Sequence, residues 1–284
     1  MFNLNHQIPL YENAVFMGDK AAEALSALRI FPKGLIGGDI PLVEKLHPYE
    51  SLIECTACAM GDKHRVLSFA AKKMNADYIL LEDNKRDELN PASIKEELIN
   101  EGFNVKILDV SGNASQILNA AGALFGREWL ADRVLRNMEE QKSKIKSEHF
   151  KNYKVLTLLN IRHPLNRKDF TYIVNPCSDM GNILREELNT TLIGEHSKVA
   201  HSELTELTVN AVREILTEDI DLIAFCGDAL GAQMNLFKIL NSNPELADCN
   251  AVKNRRFFSL DFYVDALFWR KYQILLNWQD ALMA

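Results

Sequence analysis

The chain has 284 residues, enough for one or two domains with a sizeable core. Its 47% hydrophobic and 25% charged residues are ordinary globular proportions, and no apolar run is long enough to span a bilayer. A net charge of −7 without a basic stripe argues against nucleic acid or an anionic membrane as partner.

The first fifteen residues, MFNLNHQIPLYENAV, show neither the basic n-region nor the apolar h-region of a signal peptide. A mature exported protein whose leader had been removed would read the same way. The expected compartment is therefore periplasmic in that case and cytoplasmic otherwise. Ala14–Met17 reads as a short apolar strand ended by Gly18-Asp19, and a helix carrying Ala21, Ala22, Ala24, Leu25 and Leu28 follows. Pro32-Lys33-Gly34 reads as a turn into Leu35-Ile36-Gly37-Gly38. An irregular segment, Asp39 to Asp62, then holds His47-Pro48-Tyr49 and Cys55-Thr56-Ala57-Cys58. A helix over His64–Met74 leads to Ala76–Leu81, a continuous apolar run of the kind buried in a parallel sheet, with the polar exit Glu82 to Arg86. Pro91 opens a helix over Ala92–Asn100, and Gly102 stops it before a strand over Val105–Val110. This alternation predicts a parallel sheet covered by helices.

Gln116 to Phe150 organises the chain. Ala131, Val134, Leu135, Met138 and Ile145 share one helical face. Glu128 and Asp132 stand at the start, and Lys142, Lys144 and Lys146 at the end, which suits the helix dipole. A continuous helix from Arg127 to Ser147 would be on the order of 30 Å long. The expectation is an α/β chain of two parallel-sheet lobes, 1–115 and 151–284, joined by one long spanning helix in 116–150.

Beyond it the pattern repeats. Tyr153–Asn160 reads as a strand with Ile161-Arg162-His163-Pro164 at its exit. Phe170–Val174 reads as a short strand, followed by Asn175 to Gly181 and a helix over Asn182–Leu188. Leu204–Leu216 reads as a helix. Leu222–Phe225 reads as a buried strand running into Cys226-Gly227-Asp228. A helix over Ala232–Leu240, a strand over Arg256–Leu260 and an aromatic-rich helix over about Val264–Met283 complete the chain.

Several stretches resemble the class III periplasmic binding proteins, the helical-backbone receptors for cobalamin, haem and iron siderophores of ABC importers. Gly18 to Leu25 looks like that family's opening strand-turn-helix, and Asn75 to Leu80 like its Pro-Asp-(Leu/Val)-(Val/Ile) strand, with Ala76 where Pro is usual. Ile117 to Met138 resembles the start of the spanning helix, Asp221-Leu222-Ile223 the second-lobe strand, and Arg255 to Asp261 the closing strand. The order of these stretches over nearly the whole chain carries the resemblance. It implies a non-enzymatic protein that captures a metal chelate or metallocofactor (an iron complex, haem or a corrinoid) between two lobes and delivers it to an ABC transporter permease. It also implies a docking carboxylate on each lobe tip, for which Glu23 and Glu206 are candidates.

In folds of this type ligands bind outside the carboxyl ends of the parallel strands. Strand-exit residues are therefore the ligand-binding candidates: Gly18, Asp19, Asp83, Lys85, Arg162, His163, Ser178, Asp228 and Tyr263. Arg162 would grip a carboxylate or phosphate bidentately, and His163 would ligate metal or hydrogen-bond. The run after Asp83 reads equally as a solvated charge cluster. His47 and Tyr49 offer an imidazole and a phenol for iron, against the blander reading of a solvated loop.

Five cysteines are an odd number without small-scaffold spacing, which does not describe a disulfide framework. The C-x-x-C spacing of Cys55 and Cys58 can put two thiolates on one soft metal. With Cys177 and Cys226 at second-lobe strand exits, four thiols could hold zinc or an iron–sulfur cluster. Small buried hydrophobes are the alternative for each. A cytoplasmic metalloprotein built on that cluster is the competing functional reading. The sequence shows no G-x-S-x-G elbow, no G-x-x-x-x-G-K-[ST] loop, no H-E-x-x-H and no G-x-G-x-x-G.

Overall fold

A computed structural model describes residues 8–37, 51–61, 65–85, 89–151, 153–162, 169–194, 203–216, 220–262 and 269–284. The chain divides into two units, Met1–Glu139 with Asp265–Trp269, and Glu140–Val264 with Arg270–Ala284.

In the first unit β1 (Leu10–Met17), α1 (Asp19–Ala27), β2 (Ile30–Ile36) and β3 (Ser51–Glu54) are followed by the short helix α2 (Thr56–Gly61) and by α3 (Arg65–Met74). Then come β4 (Tyr78–Asp83), a 3-10 turn over Pro91–Ile94, α4 (Lys95–Asn100), β5 (Val105–Asp109), α5 (Ala114–Phe125) and α6 (Glu128–Lys142). The five strands are all parallel in the order β3-β2-β1-β4-β5. Buried on both faces, Ala14–Met17 of β1 and Tyr78–Leu81 of β4 are apolar residue after residue, which is why the sequence shows runs rather than alternation. Val15, Met17, Ile79 and Leu81 pack on one face against Leu67 and Ala71 of α3. From the other face Phe16 meets Phe125 of α5, ring centroids 6.4 Å apart. Full burial of each such side chain contributes about 2 kcal/mol.

Pro32 does not turn the chain. It lies inside β2, opposite Glu12, where the β1–β2 register shifts between Glu12 and Val15. Proline has no amide hydrogen for a ladder, so a local irregularity accommodates it.

The predicted spanning helix is broken. Asn113 and Gln116 form a reciprocal capping box that starts α5, and Gly126 ends it in the left-handed conformation at φ 65°. At the α5–α6 corner a Cβ on Gly122 would lie 3.1 Å from the Glu128 backbone. The following helix, α6, has 15 residues, about 22 Å, and the boundary between the units falls within it. After Lys142 the chain turns and makes only a 3-10 turn over Ser147–Phe150.

The second unit runs β6 (Lys154–Arg162), β7 (Asp169–Val174), α7 (Asp179–Leu188), β8 (Thr191–Ile193), β9 (Leu204–Glu206), α8 (Val209–Ile215), β10 (Leu222–Gly227) and α9 (Ala229–Ser242). It closes with a 3-10 turn over Pro244–Asp248, α10 (Asn250–Lys253), β11 (Phe257–Ser259) and α11 (Lys271–Met283). Its sheet has the order β11-β10-β6-β7-β9, with β8 beside the first half of β6. It is mixed rather than purely parallel: β10, β11, β6 and β8 are parallel, whereas β7 runs antiparallel to β6 and β9. The predicted helix over Leu204–Leu216 is in fact a strand and a shorter helix. Leu204–Glu206 pairs with β7, and the Thr208 hydroxyl accepts the Ala211 amide hydrogen to begin α8. One apolar period cannot distinguish a three-residue strand running into a helix from one longer helix. Trp278 of α11 is fully buried, its indole N–H donating to the Asp261 carbonyl at 2.9 Å.

Candidate ligand-binding site

Each sheet contains a point where strand order reverses, and the loops leaving its strands there form a crevice by topology alone. In the first unit that point lies between β1 and β4. Gly18 leaves β1 at φ 125°, donating its amide hydrogen to the Ile36 carbonyl at 3.0 Å. A Cβ there would stand 2.2 Å from the Glu82 Cβ, so glycine is required both by conformation and by space. Asp19 opens α1, and its Oδ1 is 2.7 Å from where a Cβ of Gly37 would be. The exits of β1, β2 and β4 thus converge.

Glu82 is the buried acid of this edge. Its Oε2 accepts the Ala21 amide hydrogen at 2.9 Å, in the first turn of α1. Burial raises its carboxyl above the usual range, an effect the Ala21 bond partly offsets. Next to it Asp83 accepts from the Lys85 ammonium, from the Lys85 amide at 3.2 Å and from the Asn90 side chain at 3.0 Å. The Lys85 ammonium, before other contacts, holds the Asp83 carboxyl below its usual range. Asp109, at the end of β5, lies 3.5 Å from the same ammonium. The Ser111 hydroxyl, donating at 2.6 Å, is the main reason the Asp109 carboxyl is lowered. Lys85 therefore presents a charge shared between two carboxylates.

In the second unit the corresponding edge is the exit of β6 and β10. The Asn160 carbonyl accepts the Asp228 amide hydrogen at 3.0 Å, and Gly227 turns the chain at φ 70°, where a Cβ would meet that carbonyl at 2.4 Å. Asp228 caps α9 by accepting the Gly231 amide hydrogen at 3.2 Å. Below the turn lies a buried chain of polar groups. The Thr171 hydroxyl donates to Asn160 Oδ1 at 2.6 Å and accepts from Asn235 Nδ2 at 2.7 Å. Asn160 is 1% exposed and its Nδ2 has no hydrogen-bond partner among the described residues. Beside this chain an open groove of about 400 Å³ is lined by Asp169, Phe170, Thr171, Glu206, Asn235 and Lys238, among others.

Of the expected ligand contacts, Gly18, Asp19, Asp83 and Lys85 gather at the first edge, and Asp228 lies at the second. Arg162 ends β6, paired with Asp169, at the expected place on the backbone. His47, Tyr49, His163 and Tyr263 lie outside the described residues. Ser178 is buried, and its hydroxyl is engaged in its own turn: it donates to the Asn175 carbonyl at 2.6 Å and accepts the Gly181 amide hydrogen at 3.1 Å. Its role there is to cap α7. Thr171 and Asn235 were not expected, because neither the interior of a short strand nor the middle of a helix marks a site. Asn160 had a signal, as the polar end of an apolar strand. Glu23, a proposed docking carboxylate, is 0% exposed and so is not available at a surface; Glu206 is exposed.

Nor do the cysteines form the expected set of four thiols. Cys55 and Cys58 are joined in a disulfide, and a disulfide sulfur is not a thiolate ligand. Cys226 is wholly buried in β10, where desolvation raises its thiol well above the usual range, and Cys177 is exposed. Among the described residues the metal-capable side chains that converge are Glu54, Cys55 and Cys58.

No protein-family model matches the chain, and no curated protein matches it. Solved structures do. The siderophore periplasmic binding protein from the fuscachelin gene cluster of Thermobifida fusca is 15% identical, with a TM-score of 0.65 and coverage of 98% of both chains. The apo periplasmic haem-binding protein RhuT from Roseiflexus sp. RS-1 is 15% identical, with a TM-score of 0.62, covering 96% of this chain and 98% of that one. The iron-uptake system-binding protein FeuA from Bacillus subtilis is 17% identical, with a TM-score of 0.61, covering 95% and 94%. At these identities the likeness is one of fold. The chain has the α/β fold of the class III periplasmic binding proteins, in two parallel-rich units, over nearly its whole length.

Proposed function

We propose that this chain is a non-enzymatic substrate-binding protein that captures a metal chelate (a ferric siderophore, haem or a corrinoid) and passes it to an ABC transporter permease. The observation that carries this reading is coverage. The fold matches proteins described as haem-binding, siderophore-binding and iron-uptake proteins over at least 94% of both chains. The two strand-exit edges support it, because each brings charged or amide-bearing side chains to the place where ligands bind in open α/β sheets. Gly18, Asp19, Asp83 and Lys85 are the proposed contacts at the first unit's edge, and Arg162 and Asp228 those at the second unit's edge. His47, Tyr49, His163 and Tyr263 remain proposed contacts to its metal or its periphery.

The Cys55–Cys58 disulfide suits an oxidising compartment such as the periplasm. It also removes two of the four thiolates that a cytoplasmic iron–sulfur protein would need. Titration of the purified chain with haemin, a ferric catecholate or hydroxamate siderophore, and cobalamin, followed by quenching of tryptophan fluorescence, tests the reading. One of these should saturate at one equivalent per chain. Failure of all three to bind would remove the proposal.

A further inference from the structure

We infer that Glu54, Cys55 and Cys58 form a redox-gated site for a thiophilic divalent cation of the zinc class, closed as the disulfide and open as the dithiol. None of these three residues is among the proposed chelate contacts, and the inference does not rest on that reading. One ligand atom from each of the three residues lies within 4.8 Å of the other two. The two sulfurs are bonded to each other and the Glu54 carboxylate stands within 4.8 Å of both, so reduction and ionisation would set three anionic groups side by side, which repel one another unless a cation neutralises them.

The scaffold holds them in place from the sheet. Glu54 ends β3, which pairs with β2, and its carbonyl accepts the Gly37 amide hydrogen at 3.0 Å. Its carboxylate accepts the Cys55 amide hydrogen at 3.0 Å, which folds the side chain back beside the first sulfur. The Cys58 amide donates to Cys55 Sγ at 2.9 Å. That bond has the same sense in the reduced state, where an amide hydrogen directed at a thiolate stabilises the charged form and orients it. A C-x-x-C turn already places both sulfurs within one coordination sphere. Two thiolates select soft or borderline metals, and the added carboxylate favours a divalent ion such as zinc over copper(I). With three protein ligands the fourth position is left to water. Glu54 and Cys58 are exposed, so a cation and a reductant can both reach the group.

The chemistry balances. A dithiol reductant gives two electrons and two protons to the Cys55–Cys58 bond and is itself oxidised to a disulfide. The two cysteine thiols so formed lose their protons as the metal binds, two protons leaving for each divalent cation. Affinity for the metal therefore rises with pH until both thiols ionise freely.

Cobalt(II) reports this directly, because thiolate-to-cobalt charge transfer absorbs in the near ultraviolet. The chain carrying Cys177→Ser, which removes the exposed thiol outside the disulfide, is reduced with a phosphine (itself not a thiol ligand) and titrated with Co2+ without oxygen. Charge-transfer absorption is expected to saturate at one Co2+ per chain and to be bleached by one equivalent of Zn2+. It should be lost in Cys55→Ser and in Cys58→Ser, and Glu54→Gln should weaken binding about tenfold or more. The unreduced chain should show none. No absorption in the reduced chain, or absorption that survives loss of both Cys55 and Cys58, overturns the inference. Equal binding before and after reduction overturns the gating. A variant-free readout guards against misfolded substitutions. In the reduced natural chain Zn2+ should protect Cys55 and Cys58 from alkylation, read by mass spectrometry, and unprotected alkylation of both also overturns it.

Discussion

The carboxylate of Glu82, near the end of β4, accepts the amide hydrogen of Ala21 in the first turn of α1 at 2.9 Å. This bond joins the two strands that flank the first sheet's switch point, since α1 follows β1 directly. It also places a buried acid at a helix N-terminus, where the dipole favours its charge while burial opposes it. Glu82→Ala would leave the Ala21 amide without its acceptor and should cost about 1–3 kcal/mol, measured by chemical denaturation.

The pH dependence of the same residue has a definite sign. Burial raises the folded carboxyl above the ordinary value of 4.5. Its contribution to stability is therefore fully present below 4.5 and is lost as pH rises through the folded value. Glu82→Gln keeps an acceptor and removes the titration. Denaturation midpoints should show the Gln variant gaining on the natural chain as pH rises from ~4.5 to ~8, and a constant difference would refute this.

Gly18 is the second constraint on that edge. At φ 125°, with the Glu82 Cβ in the space a side chain would need, Gly18→Ala combines backbone strain with overpacking. The expected loss is on the order of 3 kcal/mol. Gly126→Ala, also at positive φ but with nothing within 4 Å of its Cβ, should cost less.

Thr171 tests the second edge. Valine there removes the donor to Asn160, a buried bond, and the acceptor of Asn235, a part-buried one, and should destabilise the chain by about 2 kcal/mol. Thr171→Ser retains both bonds and loses only a methyl group. If the two variants are equally stable, the polar chain has no structural role.

Much of this architecture was legible in the amino-acid sequence. Val15, Met17, Ile79 and Leu81 announced themselves as runs because strands buried on both faces have no polar side. The strand exits at Gly18, Asp83 and Asp228 were legible because a buried strand must end in residues that meet water. The helix expected over Arg127–Ser147 begins at Glu128 but ends at Lys142, and the residues before Gly126 form a helix of their own, so segment 116–150 is not one helix. Leu204–Glu206 reads as helix in the sequence, because three residues are too few to set a period of their own. The Thr171–Asn235 contact joins positions 64 residues apart, and no local pattern records such a pairing.

The cysteine assignment admits a simple count. A thiol reagent should modify one cysteine, Cys177, in the native chain, and Cys226 and Cys249 in addition when the chain is denatured without reductant. Cys55 and Cys58 should react only after reduction. Five reactive thiols in the unreduced, denatured chain would rule out the disulfide.

The most direct test is an absorption spectrum with elemental analysis of the chain purified without oxygen and then loaded with candidate chelates. A metal-chelate carrier should show a haem, corrinoid or ferric-siderophore spectrum at one ligand per chain, with iron or cobalt in the same ratio and no acid-labile sulfide. Iron matched by equimolar sulfide, lost on Cys55→Ser or Cys226→Ser, would contradict that function and make this an iron–sulfur protein.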